Sequence, residues 1–364
     1  MRRILLGLIM LLVGMVDISA QENTIKWWDP VKEGYRLEGQ GWAEGLEHPY
    51  DRFPAFAKND LREVVWFKSQ QSTGLLVKFR TDASSIHVRY KVKDVLAFEH
   101  MPATGVSGVD LYALDVLNQW HWTGSDYIFG DTVEYYFNHL SGDGSRLYHL
   151  YLPLYNRVEW MEIGVPAGAT FTPVQGNTKG AIVVYGTSIT QGGCASRPGT
   201  AWTAILGRKL GRPVFNFGFS SNGQLEQPVA DLISGLDASV FILDCFPNMG
   251  HLSEDEIAKR LEQTVKIIRA RHPEVPIVIT EHADANFNQL NNALNDMFRN
   301  LNGIAERSFR KLKGQKIKNI YYLSSKVIGL NNESTVDGQH PTDGGMERYA
   351  NAYENLISRL LKRK

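Results

Sequence analysis

The chain has few cysteines: two in 364 residues, Cys194 and Cys245. That excludes a small disulfide scaffold and a cysteine-rich zinc module. No His-Glu-x-x-His segment is present, so the common helical zinc-hydrolase motif is missing too. Nothing in the pattern calls for a metal or any other cofactor. Charge of one sign is not in excess, because Lys+Arg and Asp+Glu are both 39. No basic face is therefore expected to condense on nucleic acid or anionic lipid. Internal repeats and low-complexity segments are absent from the sequence. Its one long apolar run, Ile4 to Val16, is short for a comfortable transmembrane helix.

That run has the form of a targeting segment. Arg2 and Arg3 precede it, and Ile18-Ser19-Ala20 places a small residue before Gln21. Residues 1–20 are expected to be a signal peptide, removed on export. No cysteine lies near the cut to carry a lipid. The expectation is a secreted or periplasmic protein with no stable membrane insertion after cleavage. The remaining length suggests two domains.

From residue 22 to 172 the pattern is β. Val64-Val65-Trp66-Phe67, Leu75 to Arg80, Ile86 to Val92, Val109 to Ala113, Val133 to Phe137, Leu147 to Leu152 and Val158 to Ile163 read as short strands between Gly/Ser/Asp/Asn turns. This predicts an all-β sandwich, jelly-roll-like. The chain is also rich in aromatics, with eight tryptophans. Most strand aromatics are expected in the core, although a carbohydrate-binding role would use the same residue types.

From residue 178 to 364 strand and helix signals alternate. Predicted strands are Ala181 to Tyr185, Val214 to Phe217, Val240 to Asp244, Pro276 to Thr280 and Ile320 to Leu323. Predicted helices are Ala201 to Leu210, Ser253 to Arg271, Asn288 to Leu312 and Gly345 to Leu361. Continuous apolar runs such as Ala181 to Tyr185 suit strands covered on both faces. The alternation predicts a parallel sheet between two helix layers, with ligand sites at the C-terminal strand ends.

The chemistry-bearing residues fall at those ends. Ser188 follows the first strand in Gly186-Thr187-Ser188. Gly218 follows the second in Asn216-Phe217-Gly218, and Asn248 follows the third in Asp244-Cys245-Phe246-Pro247-Asn248-Met249. Asp337 and His340, in Asp337-Gly338-Gln339-His340-Pro341, follow the fifth. Serine needs a base to attack, histidine supplies one, and an aspartate fixes the imidazole. Each residue has a plainer reading: Ser188 as a helix cap, Gly218 as a turn, Asn248 as an Asx turn, Asp337-Gly338 as a surface turn. Their common placement favours the catalytic one.

These blocks resemble the SGNH (GDSL-like) hydrolases. Gly186-Thr187-Ser188 stands where the family has Gly-Asp-Ser, Asn216-x-Gly218 matches the second block, Asn248 the third, and Asp337 to Pro341 the fourth. Gly108-Val109-Asp110-Leu111-Tyr112 resembles the Gly-x-Asp-Leu-Tyr signature of N-terminal domains joined to one subgroup, which tolerates Gly-Thr-Ser and Asp-Cys-x-Pro-Asn-Met. The resemblance implies a flavodoxin-like three-layer α/β/α domain behind the sandwich. It also implies a Ser188-His340-Asp337 triad and an oxyanion hole from the N–H groups of Ser188 and Gly218 and the amide of Asn248. The expected activity is a serine esterase acting on small acyl esters, especially O-acetyl groups on oligo- or polysaccharides, through a covalent acyl-enzyme. An acyltransferase using the same triad, and a non-catalytic carbohydrate-binding protein, are the alternatives.

Other polar residues stay open. His251, His282 and Asp284 lie near strand ends, where lone groups are more often solvated or structural. Arg197 could bind substrate or form an ion pair. Cys194 and Cys245 follow strands expected to be neighbours, so they could form a disulfide or be two separately buried thiols. The loop Glu99 to Ser107 could lean over the catalytic cleft.

Overall fold

The protein is described by a computed structural model covering residues 24–141, 144–283 and 290–362. The segment expected to be a signal peptide lies outside the described residues, as does Asp284. No described helix is long and apolar enough to cross a membrane.

Alternation of apolar and polar residues builds the N-terminal half. Its strands are β1 (Ile25–Trp28), β2 (Leu76–Thr81), β3 (Ile86–Val92), β4 (Asp110–Leu114), β5 (Trp120–Thr123), β6 (Asp126–Ile128), β7 (Val133–Phe137), β8 (Arg146–Tyr151), β9 (Val158–Pro166) and β10 (Phe171–Pro173). They form two antiparallel sheets, ordered β1-β9-β3-β7-β6 and β10-β2-β8-β4-β5. In β3 the residues Ile86, Val88 and Tyr90 point inward and are buried, whereas His87 and Arg89 are only partly so. They meet Val77, Phe79, Leu111 and Leu150 of the other sheet in one core. Fully burying an aliphatic or phenylalanine side chain of this kind contributes roughly 1.5–3 kcal/mol.

One predicted strand is a helix. Val64-Val65-Trp66-Phe67 lies in α1 (Glu63–Ser69), not in a sheet. Val65 and Trp66 are buried while Val64 and Phe67 are exposed, which is a one-sided helical pattern rather than a strand alternation. The buried pair joins the core of the C-terminal half, alongside Phe217 and Phe219, so packing across the two halves fixes this segment. A single helical turn, α2 (Ala103–Val106), precedes β4.

The C-terminal half is a parallel sheet of β11 (Ala181–Gly186), β12 (Val214–Gly218), β13 (Ala238–Asp244), β14 (Ile277–Thr280) and β15 (Ile320–Leu323), ordered β12-β11-β13-β14-β15. Its helices are α3 (Ser188–Gln191), α4 (Trp202–Leu210), α5 (Gln227–Ile233), α6 (Glu254–Arg271), α7 (Asn292–Gly314), α8 (Ser325–Ile328) and α9 (Asp343–Leu361). Every residue of β11 and β13 is buried, as the continuous apolar runs require. Ile182 and Val184 face α4 and α9, where Trp202 stacks on Tyr353 at 4.4 Å. Val183 and Phe241 face α5, α6 and α7. Local signals set the helix ends. The Ser253 hydroxyl caps α6 by accepting from the Glu256 N–H, and Gly211 ends α4 in the left-handed conformation at φ 59°. The predicted helix start at Asn288 lies outside the described residues, and α7 is capped by Asn291, whose side chain accepts from the Leu294 N–H at 3.1 Å.

The strand order runs outward in both directions from β11 and β13, the switch point at which such sheets bind ligands. Asp244 ends β13 there with its side chain fully buried. Burial pushes its carboxyl from 3.8 up to about 7, against the pull of the Thr190 and Tyr353 hydroxyls. Between those two values the folded form holds a proton that the unfolded chain has lost, so stability falls as pH rises, and the loss is complete above the folded value. Asp244→Asn removes this step. Its melting temperature should rise relative to wild type between about pH 4.5 and pH 8; a constant difference across that range would contradict the assignment.

Candidate active site

Three side chains from two distant loops meet in a hydrogen-bonded line. Ser188 Oγ lies 2.7 Å from His340 Nε2, and His340 Nδ1 lies 2.6 Å from Asp337 Oδ2. Each has a local reason for its position. Gly186 leaves β11 where a Cβ would lie 2.0 Å from Thr190 Oγ1, so only glycine admits this turn. The Thr187 side chain accepts from the Ile189 N–H and starts α3, which makes Ser188 the first helical residue. The Asp337 loop is closed by its own backbone. Asp337 Oδ1 accepts from the N–H groups of Gln339 and His340 at 3.0 and 2.8 Å. Val336 N–H donates to His340 O at 2.9 Å.

These contacts also set protonation. Partial burial works against ionised Asp337, but the His340 ring and the two backbone N–H groups outweigh it and hold the carboxyl well below the usual range. An ionised carboxylate only accepts, so Nδ1 carries the imidazole proton. Nε2 then presents its lone pair to the Ser188 hydroxyl. That is the arrangement in which a histidine can take a proton from serine.

The three predicted oxyanion donors fare differently. Ser188 N–H is one of the unpaired donors at the start of a helix. Gly218 N–H is engaged, donating to Asn216 Oδ1 at 2.9 Å. A Cβ on Gly218 would lie 2.2 Å from Gln191 N, so this glycine serves the close approach of β12 to α3. The expectation of a free donor at Gly218 is corrected accordingly. In one orientation of its amide Asn248 Oδ1 accepts from the N–H groups of Asn222 and Gly223, at 3.0 and 3.1 Å; in the other Nδ2 donates to Phe219 O at 3.3 Å. Ser221, in the same loop, is a non-glycine residue held at φ 59°, a conformation that costs energy and recurs at functional sites.

Of the remaining sequence candidates, Arg197 and His282 are held in structural contacts. Arg197 Nη1 pairs with the buried Asp110 Oδ2 at 2.6 Å and donates to Tyr112 Oη at 2.8 Å. His282 is buried, its backbone is held by Asn302, and burial pulls its imidazole down to about 3. His251 is exposed. The cysteines are free thiols. Cys194 packs with the α4 and α9 face of the sheet and Cys245 with the opposite face, so the sheet separates them. Cys194 Sγ contacts His100 O at 3.6 Å, and Cys194, Asp337 and His340 each place a donor atom within 4.8 Å of the others.

Several residues at the site come from the sandwich half and carried no catalytic signal of their own. Tyr155 Oη donates to Ser188 O at 3.2 Å. Arg52, 1% exposed, donates to Asn216 O and Gly218 O at 2.8 and 3.0 Å and so holds the end of β12. The loop Glu99 to Ser107 does lean on the catalytic edge. Thr104 Oγ1 donates to Ser196 O at 2.7 Å, and the His100 ring lies 6.2 Å from that of His340. Beside these groups opens a cleft of about 810 Å³, with Phe98, His100, Tyr155 and Ser220 on its wall. A smaller cavity of about 210 Å³ lies between the halves at Trp120, His149 and Arg208; no triad residue lines either space, and it is Tyr155 and His100 that bring the larger one next to Ser188 and His340.

Asp110, in the Gly-Val-Asp-Leu-Tyr segment, ties the halves together. Besides Arg197 it accepts from Gly199 N–H at 2.9 Å and Trp122 Nε1 at 2.7 Å. The loop it grips is held from the other side by Asp343, which accepts from Ser196 N–H and Thr200 Oγ1 at 2.9 and 2.8 Å. Asp343 opens α9, three residues after His340.

A sheet in flavodoxin order, with Ser188, Asp337 and His340 gathered at its C-terminal edge behind an antiparallel sandwich, defines the SGNH-type hydrolase architecture. Residues 179–358 match the GDSL-like lipase/acylhydrolase family and residues 25–171 match the GxDLY N-terminus of SGNH-type esterases. The chain belongs to the GDSL-like lipase/acylhydrolase family and is an ester hydrolase of the SGNH type. A GDSL-like lipase from Bacteroides ovatus is 31% identical, with 93% of this chain and 98% of that one covered at a TM-score of 0.85. The salicylyl-acyltransferase SsfX3 from a tetracycline biosynthetic pathway shares the fold at 21% identity, TM-score 0.72, over 92% and 97% of the two chains. A family two carbohydrate esterase from Cellvibrio japonicus does so at 12% identity, TM-score 0.57, over 93% and 98%. No curated protein matches significantly.

Removing one partner of a buried pair strands the other charge. Asp110→Ala should lower unfolding stability by about 3 kcal/mol, measured by denaturant titration. An unchanged midpoint would show that Asp110 does not hold the halves together.

Proposed function

We propose that this protein is an exported serine esterase that removes small acyl groups, chiefly O-acetyl, from carbohydrates. The observation that carries the reading is the unbroken line Ser188 Oγ, His340, Asp337 at 2.7 and 2.6 Å. His340 Nε2 takes the hydroxyl proton as Ser188 Oγ attacks the ester carbonyl. The tetrahedral oxyanion is met by Ser188 N–H and the Asn248 NH2 group. Collapse breaks the ester bond, and the proton on Nε2 passes to the departing alcohol. Water, activated by the same nitrogen, then hydrolyses the acyl-serine. Asp337 keeps Nδ1 protonated throughout and offsets the imidazolium charge.

The carbohydrate part rests on the family two carbohydrate esterase among the fold relatives and on aromatic walls suited to sugar rings. Export rests on the Arg2-Arg3 start, the apolar run and Ala20. The likeness to an acyltransferase supports transfer to a second alcohol as the competing outcome of the same acyl-enzyme.

Ser188→Ala should reduce kcat on 4-nitrophenyl acetate by at least about 10³-fold, and wild type should prefer acetyl to octanoyl esters. Equal activity in the variant would sink the nucleophile assignment, and turnover confined to long chains would sink the acetyl reading. Asn248→Ala should cost about 10²–10³ in kcat with little change in KM. A change in KM alone would place Asn248 in substrate binding instead.

A further inference from the structure

The cleft beside Ser188 is not electrically neutral. Lys68, half-buried, and Lys93, exposed, stand on its wall with Phe98 and Tyr155. Of the other described lysines of this half, Lys32, Lys58, Lys78 and Lys91 each meet a carboxylate, and the exposed Lys26 does not. Among the described residues no carboxylate lies within 4.0 Å of the ammonium of Lys68 or Lys93. Behind Lys68 lies a second cation with no ion-pair partner among the described residues. Arg52 is fully buried, its guanidinium donates to Lys68 O at 2.6 Å and to the β12 carbonyls of Asn216 and Gly218, and it lies 4.9 Å from the centre of the Phe219 ring. The one carboxylate on the cleft wall is Asp94. Burial first, and Arg52 second, pull the Lys68 ammonium below the usual lysine value, as expected of a half-buried cation lacking a counter-ion.

A half-buried cation without a partner is costly unless a ligand supplies the opposite charge. Phe98 and Tyr155 meet edge to face at 5.7 Å on the same wall, Tyr155 Oη reaches Ser188 O at 3.2 Å, and the two rings offer apolar surface against which a sugar ring or short chain can pack. We infer that the cleft recognises a carboxylate on the substrate: the ester cleaved at Ser188 carries an acidic group, held by Lys68 and Lys93. This deepens, and rests on, the reading of Ser188 as the nucleophile. The acid can sit on the alcohol half, as in an O-acetylated uronic acid oligosaccharide, or on the acyl half, as in the half-ester of a dicarboxylic acid.

Both arms are testable with matched pairs. An acetylated oligogalacturonide is compared with its methyl ester, and 4-nitrophenyl hemisuccinate with 4-nitrophenyl butyrate. In one arm kcat/KM should favour the acidic member by about tenfold, the scale of one charged hydrogen bond, through KM. Salt should shrink that preference, and the Lys68→Met/Lys93→Met double variant should abolish the ratio. Equal or reversed preference in both arms, or a preference that survives the double variant, would overturn the inference. A readout without turnover keeps the two readings apart: calorimetric binding of the deacetylated oligogalacturonide and of succinate to Ser188→Ala. Binding of either that is lost in the added double variant supports the cleft assignment even if no ester is hydrolysed. Hydrolysis of the neutral esters with no binding of either anion leaves the esterase reading standing and removes this one.

Discussion

The arrangement of this protein depends on one buried carboxylate. Asp110 accepts from the Arg197 guanidinium, the Gly199 N–H and the Trp122 indole. Its three donors come from both halves of the chain. Taking a carboxylate out of water is unfavourable unless every lone pair it exposes is met, so the sandwich and the α/β layer can dock only where this set closes. The loop so gripped is tied through Asp343 to the start of α9, and His340 leaves the chain three residues earlier.

This coupling explains why the catalytic edge belongs to both halves. The α/β half contributes Ser188, Asp337, His340 and Asn248. The sandwich half contributes Tyr155 against the Ser188 carbonyl, Arg52 behind the end of β12, and the His100 loop over His340. The cleft wall draws mostly on the sandwich half. In the function proposed above, chemistry and recognition are therefore divided between a scaffold that sets the nucleophile and a partner that shapes what reaches it.

Much of this was readable in the residues. Continuous apolar runs identified β11 and β13, and the turns after β11, β12, β13 and β15 carried Ser188, Gly218, Asn248 and Asp337 with His340. What the sequence hid depends on contacts between distant segments. Val64 to Phe67 has strand-like composition, yet Val65 and Trp66 find their burial against the other half and form a helix. Gly218 has the right position for an oxyanion donor, but Asn216, two residues before it, takes its N–H. Cys194 and Cys245 follow neighbouring strands, yet their side chains fall on opposite sides of the sheet. The Gly-Val-Asp-Leu-Tyr segment was visible as a signature, while its meaning, a carboxylate that receives Arg197, required the docked structure.

The central claim is that an acyl group passes through Ser188. Its most direct test is the covalent state of the enzyme itself. Wild-type protein is mixed with a slowly hydrolysed aryl ester, quenched in acid, and mapped by peptide mass spectrometry. One acyl adduct on the peptide carrying Gly186-Thr187-Ser188, absent when His340 is replaced by alanine, is the predicted result. An adduct on another residue, or efficient ester turnover with no adduct under any quench, would contradict the account.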